Sequence, residues 1–92
     1  MESKLIHDKV DQRFILILDN NIEAYVSYKL KSNEMDLVYS FVPSELRGQG
    51  IGKTLVEETF ELLTNEGFKA KAVCSYIKEV ALSSSKWKTI IK

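Results

Sequence analysis

Between an apolar run and a pattern with helical periodicity the chain reads Val42-Pro43-Ser44-Glu45-Leu46-Arg47-Gly48-Gln49-Gly50-Ile51-Gly52-Lys53-Thr54, with glycine at every second position from 48 to 52. A backbone without Cβ atoms lets a ligand approach closely. A helix N-terminus adds unpaired N–H groups and the positive end of a dipole. Arg47 and Lys53 bring full positive charge to the same place. Such a segment suits an anionic, phosphate-bearing ligand. The alternative is a tight strand-to-helix turn in which the glycines solve only a steric problem.

Spacing narrows the ligand class. A Walker A loop needs Gly, four residues, then Gly-Lys-Ser/Thr; Gly52-Lys53-Thr54 fits its end, but the first glycine position falls on Arg47. A dinucleotide fingerprint fails in both registers: its third glycine falls on Lys53 when counted from Gly48, and on Leu55 from Gly50. A second group of reactive types follows at Cys74-Ser75-Tyr76. Cys74 ends an alternating segment just before a helical one, where a helix dipole favours a thiolate. Its face-mates Phe68, Ala70 and Ala72 are apolar, so plain burial competes with chemistry. Tyr76 can donate a proton to a leaving group or can simply pack. His7, the single histidine, is expected at the surface of an N-terminal strand end. No second histidine or cysteine is present to complete a metal site, and no metal is expected.

The elements that must hold these residues can be read from periodicity. Leu5 and Ile6 open a short apolar stretch ending at Asp8; residues 14–18 and 22–30 are strands, the latter with Ala24, Val26 and Tyr28 on one face. Residues 36–42 are apolar at nearly every position, the pattern of a strand covered on both sides. From Ile51 the period becomes helical, with Leu55, Val56, Phe60, Leu62 and Leu63 within half a wheel; Gly67 stops the helix, and residues 68–74 form another strand. Strand, helix and strand make a right-handed parallel crossover. Residues 75–82 suit a short helix, and Trp87, Ile90 and Ile91 a final anchoring turn. The expected fold class is α/β (α+β): a mixed, mainly antiparallel sheet with one parallel β-α-β crossover and short C-terminal helices.

Arg47-x-x-Gly50-x-Gly52 fits the [Q/R]-x-x-G-x-[G/A] pattern of the GNAT superfamily of N-acetyltransferases. Together with the buried strand before it, the helix after it and Cys74-Ser75-Tyr76-Ile77 beyond Gly67, it resembles the small stand-alone GNAT-like acetyltransferases. The resemblance implies acetyl-CoA as cofactor, with pantetheine lying in a gap between two splayed strands and pyrophosphate on the loop amides. The cofactor-binding residues it implies are Phe41, Val42, Arg47, Gly48, Gln49, Gly50, Ile51, Gly52, Lys53 and Cys74. It also implies that Cys74 lies near the thioester, either as an acetyl-accepting nucleophile or lining the pocket, with Tyr76 as the second catalytic candidate. The small family often has His-Thr where this chain has Tyr39-Ser40. The two helices that larger relatives place between their first strands are missing, so no large acceptor pocket is expected.

Thirteen Lys+Arg balance 13 Asp+Glu, giving a formal net charge of zero and a pI near 6.6. That removes the electrostatic excess that drives binding to nucleic acid or anionic lipid, and neither partner is expected. Ninety-two residues allow one modest core, so a single domain over 1–92 is expected. A lone cysteine and no apolar leader point to the cytoplasm. The expected partners are the cofactor and an amine acceptor of unspecified identity; oligomeric state is not encoded. The alternative function is a CoA or acyl-CoA binding module without turnover.

Overall fold

The computed structural model describes residues 4–92, apart from the side chain of Asn20. Five strands, β1 (Lys4–Asp8), β2 (Arg13–Ile17), β3 (Glu23–Lys31), β4 (Glu34–Phe41) and β5 (Lys69–Ala72), form one sheet in sequence order. Neighbours are antiparallel except β4 and β5, which run parallel and are joined by helix α1 (Ile51–Asn65). Two short helices follow, α2 (Ser75–Leu82) and α3 (Trp87–Ile90). This is the mixed, mainly antiparallel architecture with one crossover that the periodicity predicts.

Local chemistry sets the element ends. The Asp8 carboxylate accepts the amides of Val10 and Asp11, each at 3.1 Å, and closes the β1–β2 turn. Helix α1 ends in a Schellman motif: Gly67 takes φ +86°, its amide bonds to the Thr64 carbonyl, and the Phe68 amide bonds to that of Leu63. The core lies between one face of the sheet and the helices. Phe14, Leu16, Val26, Met35 and Leu37 meet Leu55, Val56, Phe60 and Leu63 of α1 and Ile77 of α2. Thr59 is fully buried, and its hydroxyl donates to the Leu55 carbonyl at 2.8 Å. At the far edge, Lys92 exchanges both backbone groups with β5, through the Ala70 carbonyl and the Ala72 amide.

Several expectations are corrected. β4 is covered on one side only: Met35 and Leu37 are buried, whereas Tyr39 on the other face is 50% exposed. Its continuous apolar run reflects aromatic neighbours on an open face, not a second layer of helices. Trp87 and Ile91 anchor the tail as expected, but Ile90 is 46% exposed because α3 is a single turn and buries only one side. Of the tail lysines, Lys86 pairs with Glu61 and lies over the Trp87 ring, and Lys92 pairs with Glu34.

His7 is not a surface residue, for its side chain is only 5% exposed. Its ring stacks on Phe14 at 4.3 Å and meets the edges of Tyr28 and Phe68. Nδ1 lies 2.6 Å from the Glu66 carboxylate and Nε2 hydrogen-bonds the Tyr28 hydroxyl. The imidazole therefore ties edge strand β1 to β3 and to the C-terminus of α1, satisfying both ring nitrogens inside an aromatic box. Burial first, then the charges of Glu66 and Asp8, raises Tyr28 above the ordinary tyrosine pKa of 10.0.

His7→Ala should destabilise the fold by about 2–4 kcal/mol through the emptied ring site and two orphaned partners. Ile90→Ala, at the exposed turn, should cost under about 1 kcal/mol in the same urea titration. The shift at Tyr28 has a defined sign. The folded phenol holds its proton more tightly than the unfolded one, so its stabilising share is intact below the unfolded value. It is lost as pH climbs through the folded pKa. Tyr28→Phe should flatten part of that alkaline loss, measured as melting temperature against pH.

Candidate functional site

The site is made by two irregularities in β4. Parallel pairing with β5 runs from Glu34↔Lys69 to Leu37↔Ala72 and stops. There the amides of Val73 and Cys74 both donate to the Leu37 carbonyl, each at 3.0 Å, and the chain turns away into α2. The fifth strand is thus shorter than the expected residues 68–74, ending at Ala72. β4 continues to Phe41 with a partner only on its β3 side. The two strands part as the sequence resemblance implies.

The second irregularity lies on the β3 side. Ser27 pairs with Tyr39 but Tyr28 pairs with Leu37, so Val38 is an extra, bulged residue. One inserted residue inverts the alternation. Met35 and Leu37 face the helices before it; Ser40 and Val42 face them after it, while Tyr39 and Phe41 turn to the open face. A small polar group thereby stands beside the gap.

A cavity of about 550 Å³ opens there. β4 and its extension supply Ser40 and Val42; the following turn supplies Leu46, Arg47 and Gly48; the start of α1 supplies Gly50, Ile51 and Gly52; and α2 supplies Tyr76. Gly48 and Gly50 adopt φ +84° and +77°, and nothing lies within 4 Å of where their Cβ atoms would stand. They are needed for the turn itself, and they leave the space before it open. Gly50 caps α1, whose first intrahelical bond is Thr54 N–H to Gly50 C=O at 3.1 Å. The amides of residues 48–53 find no acceptor among the described residues, whereas that of Arg47 bonds to Ser44. The Arg47 side chain folds back, with Nε donating to the Val42 carbonyl at 3.2 Å, and spans the mouth of the turn.

Gly52 has a different reason to be glycine. A Cβ there would lie 3.0 Å from the Tyr76 hydroxyl, so the phenol ring rests directly on the first turn of α1. Burial, then the charges of Glu79 and Glu57, raises the Tyr76 pKa above 10.0, and the hydroxyl stays a proton donor at neutral pH. Cys74 is half-buried at the N-cap of α2, with Sγ 3.8 Å from the Ser40 hydroxyl across the gap.

Of the residues expected to bind a cofactor, Val42, Arg47, Gly48, Gly50, Ile51 and Gly52 share one cavity wall. Phe41 packs against Tyr25 on the opposite face of the sheet. Gln49 points along the turn, its amide donating to the Glu45 carbonyl at 3.5 Å, and Lys53 lies around the corner in a smaller cleft with Tyr76 and Glu79. Cys74 reaches the cavity only by way of Ser40. Ser40 and Leu46 join the site without having been singled out, because the inversion at Val38 leaves no mark in the hydrophobic pattern. Among the described residues no group of three or more His, Cys, Asp or Glu gathers to hold a metal, and no helix is long and apolar enough to cross a membrane.

Residues 13–90 match the sequence profile of the family described as GCN5-related N-acetyl-transferase. In fold the chain is similar to the solution structure of a GCN5-like protein from Staphylococcus aureus. The TM-score is 0.70 at 24% identity, over 97% of this chain and 87% of that one. At that identity the structural likeness speaks for the fold.

The contact between Gly52 and Tyr76 can be tested without ligand. Gly52→Ala should destabilise by about 1–2 kcal/mol, because the new methyl must displace a ring packed on the helix. In a Tyr76→Phe background, which removes the nearest atom, the same substitution should cost measurably less. Equal costs in the two backgrounds, by chemical denaturation, would mean that the ring yields freely.

Proposed function

Because the chain belongs to the GCN5-related N-acetyl-transferase family, we propose that it transfers the acetyl group of acetyl-CoA to the nitrogen of an amine. The single observation that carries the reading is a gap between parallel strands opening onto a cavity walled by a glycine turn with free amides. Acetyl-CoA supplies a thioester, whose acyl carbon is activated by a good thiolate leaving group. The residues present fit such a ligand. The amides of residues 48–53 and the positive end of α1 suit a diphosphate, and the open space before Gly48 and Gly50 lets it approach the backbone. Arg47 adds charge at the turn. The β5-facing edge of residues 38–41 offers backbone hydrogen bonds to an extended amide chain.

Two side chains then have chemical roles. Tyr76 holds its proton on a hydroxyl beside the cavity and can donate it to a departing thiolate. Cys74 has Ser40 as its side-chain partner and no histidine or carboxylate in hydrogen-bond reach among the described residues. A covalent acyl-cysteine route needs such a base, so direct attack by the amine is the simpler path. Residues 1–92 act as one cofactor-binding unit on this reading. A cytoplasmic setting, where a free thiol beside the site stays reduced, belongs to the same reading.

Incubation with acetyl-CoA and a panel of primary amines should release thiol only when an amine is present. Binding of acetyl-CoA with no amine-dependent thiol release would favour a binding module without turnover. Cys74→Ser should keep turnover within about tenfold; loss of all transfer with intact acetyl-CoA binding would move the mechanism to an acyl-cysteine.

A further inference from the structure

Side chains on the face of the sheet away from the helices line up in register. Ile6 pairs with Ile15, Ile15 with Tyr25, and Tyr25 with Phe41, forming an apolar row across four strands, about 14 Å long at ~4.8 Å per strand. None of its members belongs to the core cluster between sheet and helices; Ile6 is 37% exposed, Tyr25 and Phe41 are half-buried, and Ile15 between Ile6 and Tyr25 is buried at 9%. Beside the row stands Tyr39, half exposed, with its ring 6.1 Å from that of Tyr25; Phe41 lies 5.4 Å from Tyr25. The aromatic end of the row falls on residues 39–41, the stretch of β4 that has lost its β5 partner. The apolar row and the acyl-transfer gap are therefore continuous.

Three observations say what this surface takes. The ring of Tyr25 already carries a cation, the Arg13 guanidinium, centred 5.1 Å from it. Arg13 is itself answered by Asp8 and Asp11, so it leaves no net positive charge to repel another. Glu23, exposed on the same face and two residues before Tyr25, makes no ion pair among the described residues. It lies toward the end where β4 leaves for Val42. Aromatic faces and one unanswered carboxylate attract a cation; an apolar row beside them attracts a hydrophobic body.

We propose that the uncovered face around Tyr25, Tyr39 and Phe41 is the acceptor site, and that it takes a primary amine joined by a short alkyl chain to an apolar body. The proposal rests on the acetyl-transfer reading and names its substrate class. The ammonium sits against Tyr39 and Phe41 on the face that carries Glu23, and the body lies along Tyr25 toward Ile6, over the buried Ile15. With the cofactor in the cavity on the helix side, the amine approaches the β4 edge from this face. The ammonium loses one proton to water, the nitrogen bonds to the acyl carbon, and the carbon–sulfur bond breaks. The second nitrogen proton ends on sulfur, giving an amide and a thiol.

The test begins without cofactor. Titration of the protein with 2-phenylethylamine should shift the NMR signals of Tyr25, Tyr39, Phe41 and Glu23. Ethanolamine and 2-phenylethanol, which lack the apolar body or the charge, should shift them much less. With acetyl-CoA present, kcat/KM for 2-phenylethylamine should exceed that for ethanolamine. Tyr39→Ser should lower that preference about five- to tenfold, with Tyr39→Trp restoring it and acetyl-CoA affinity unchanged. Absence of shifts at these residues would overturn the proposal, as would signal changes that track protein concentration, which mark a second copy on this face. Faster transfer to a lysine-containing peptide that ignores Tyr39→Ser would overturn it too. Failure of the acetyl-transfer reading shows separately, as no acetyl-CoA binding, and leaves the cofactor-free titration to decide.

Discussion

One carbonyl governs the architecture of the site. Leu37 accepts two successive amides, from Val73 and Cys74, and a parallel ladder cannot continue past a carbonyl used twice on the same side. β5 is thrown outward into α2 while β4 runs on to Phe41. The parting leaves backbone groups without a strand partner at the place where the two helix N-termini converge. An exposed strand edge with unpaired N–H and C=O groups is a ready template for an extended ligand chain. The bulge at Val38 acts at the same spot. Without it Tyr39 would face the cavity and Ser40 the open face, and the gap would be plugged by a ring.

The loop divides its glycines between two tasks. Gly48 and Gly50 are held in left-handed conformations with empty space ahead of them, so any other residue there would be strained by about 1–2 kcal/mol. Gly52 lies in regular helix and is small because Tyr76 rests on it. The same contact fixes the distance between the start of α1 and α2. It thereby positions the phenol that stays protonated beside the cavity. Among the described residues Arg47 is the one charged side chain on the cavity wall, so on the proposed reading an anion would be held mainly by oriented amides.

Much of this was legible in the sequence for physical reasons. Amphipathic period is a strong signal where a helix packs one face, as α1 does with Leu55, Val56, Phe60 and Leu63. It is equally clear where a strand alternates, as β3 does through Ala24, Val26 and Tyr28. The glycine turn was legible because its spacing excludes rival phosphate loops. His7 was not, since its burial depends on Glu66 and Tyr28, distant in sequence, answering both nitrogens. Nor was the one-sided sheet. An apolar run reads the same whether its second face meets helices or a patch of exposed aromatics, and only the register of Ile6, Ile15, Tyr25 and Phe41 separates the cases. The bulge at Val38 changes facing without changing composition, which hid Ser40.

Size ties these features together. The described residues build one core between two layers, and the β1–β2 turn, residues 9–12, is too short to hold a helix over the other face of the sheet. An apolar row with exposed ends such as Ile6 and Tyr39 invites association unless it has a use. Its aromatic end meets the gap from one side while the glycine turn meets it from the other. A two-layer protein can then run a two-substrate reaction across its own sheet. On the proposed reading the cofactor would lie on the helix side and the acceptor on the other, with the parted strands between them.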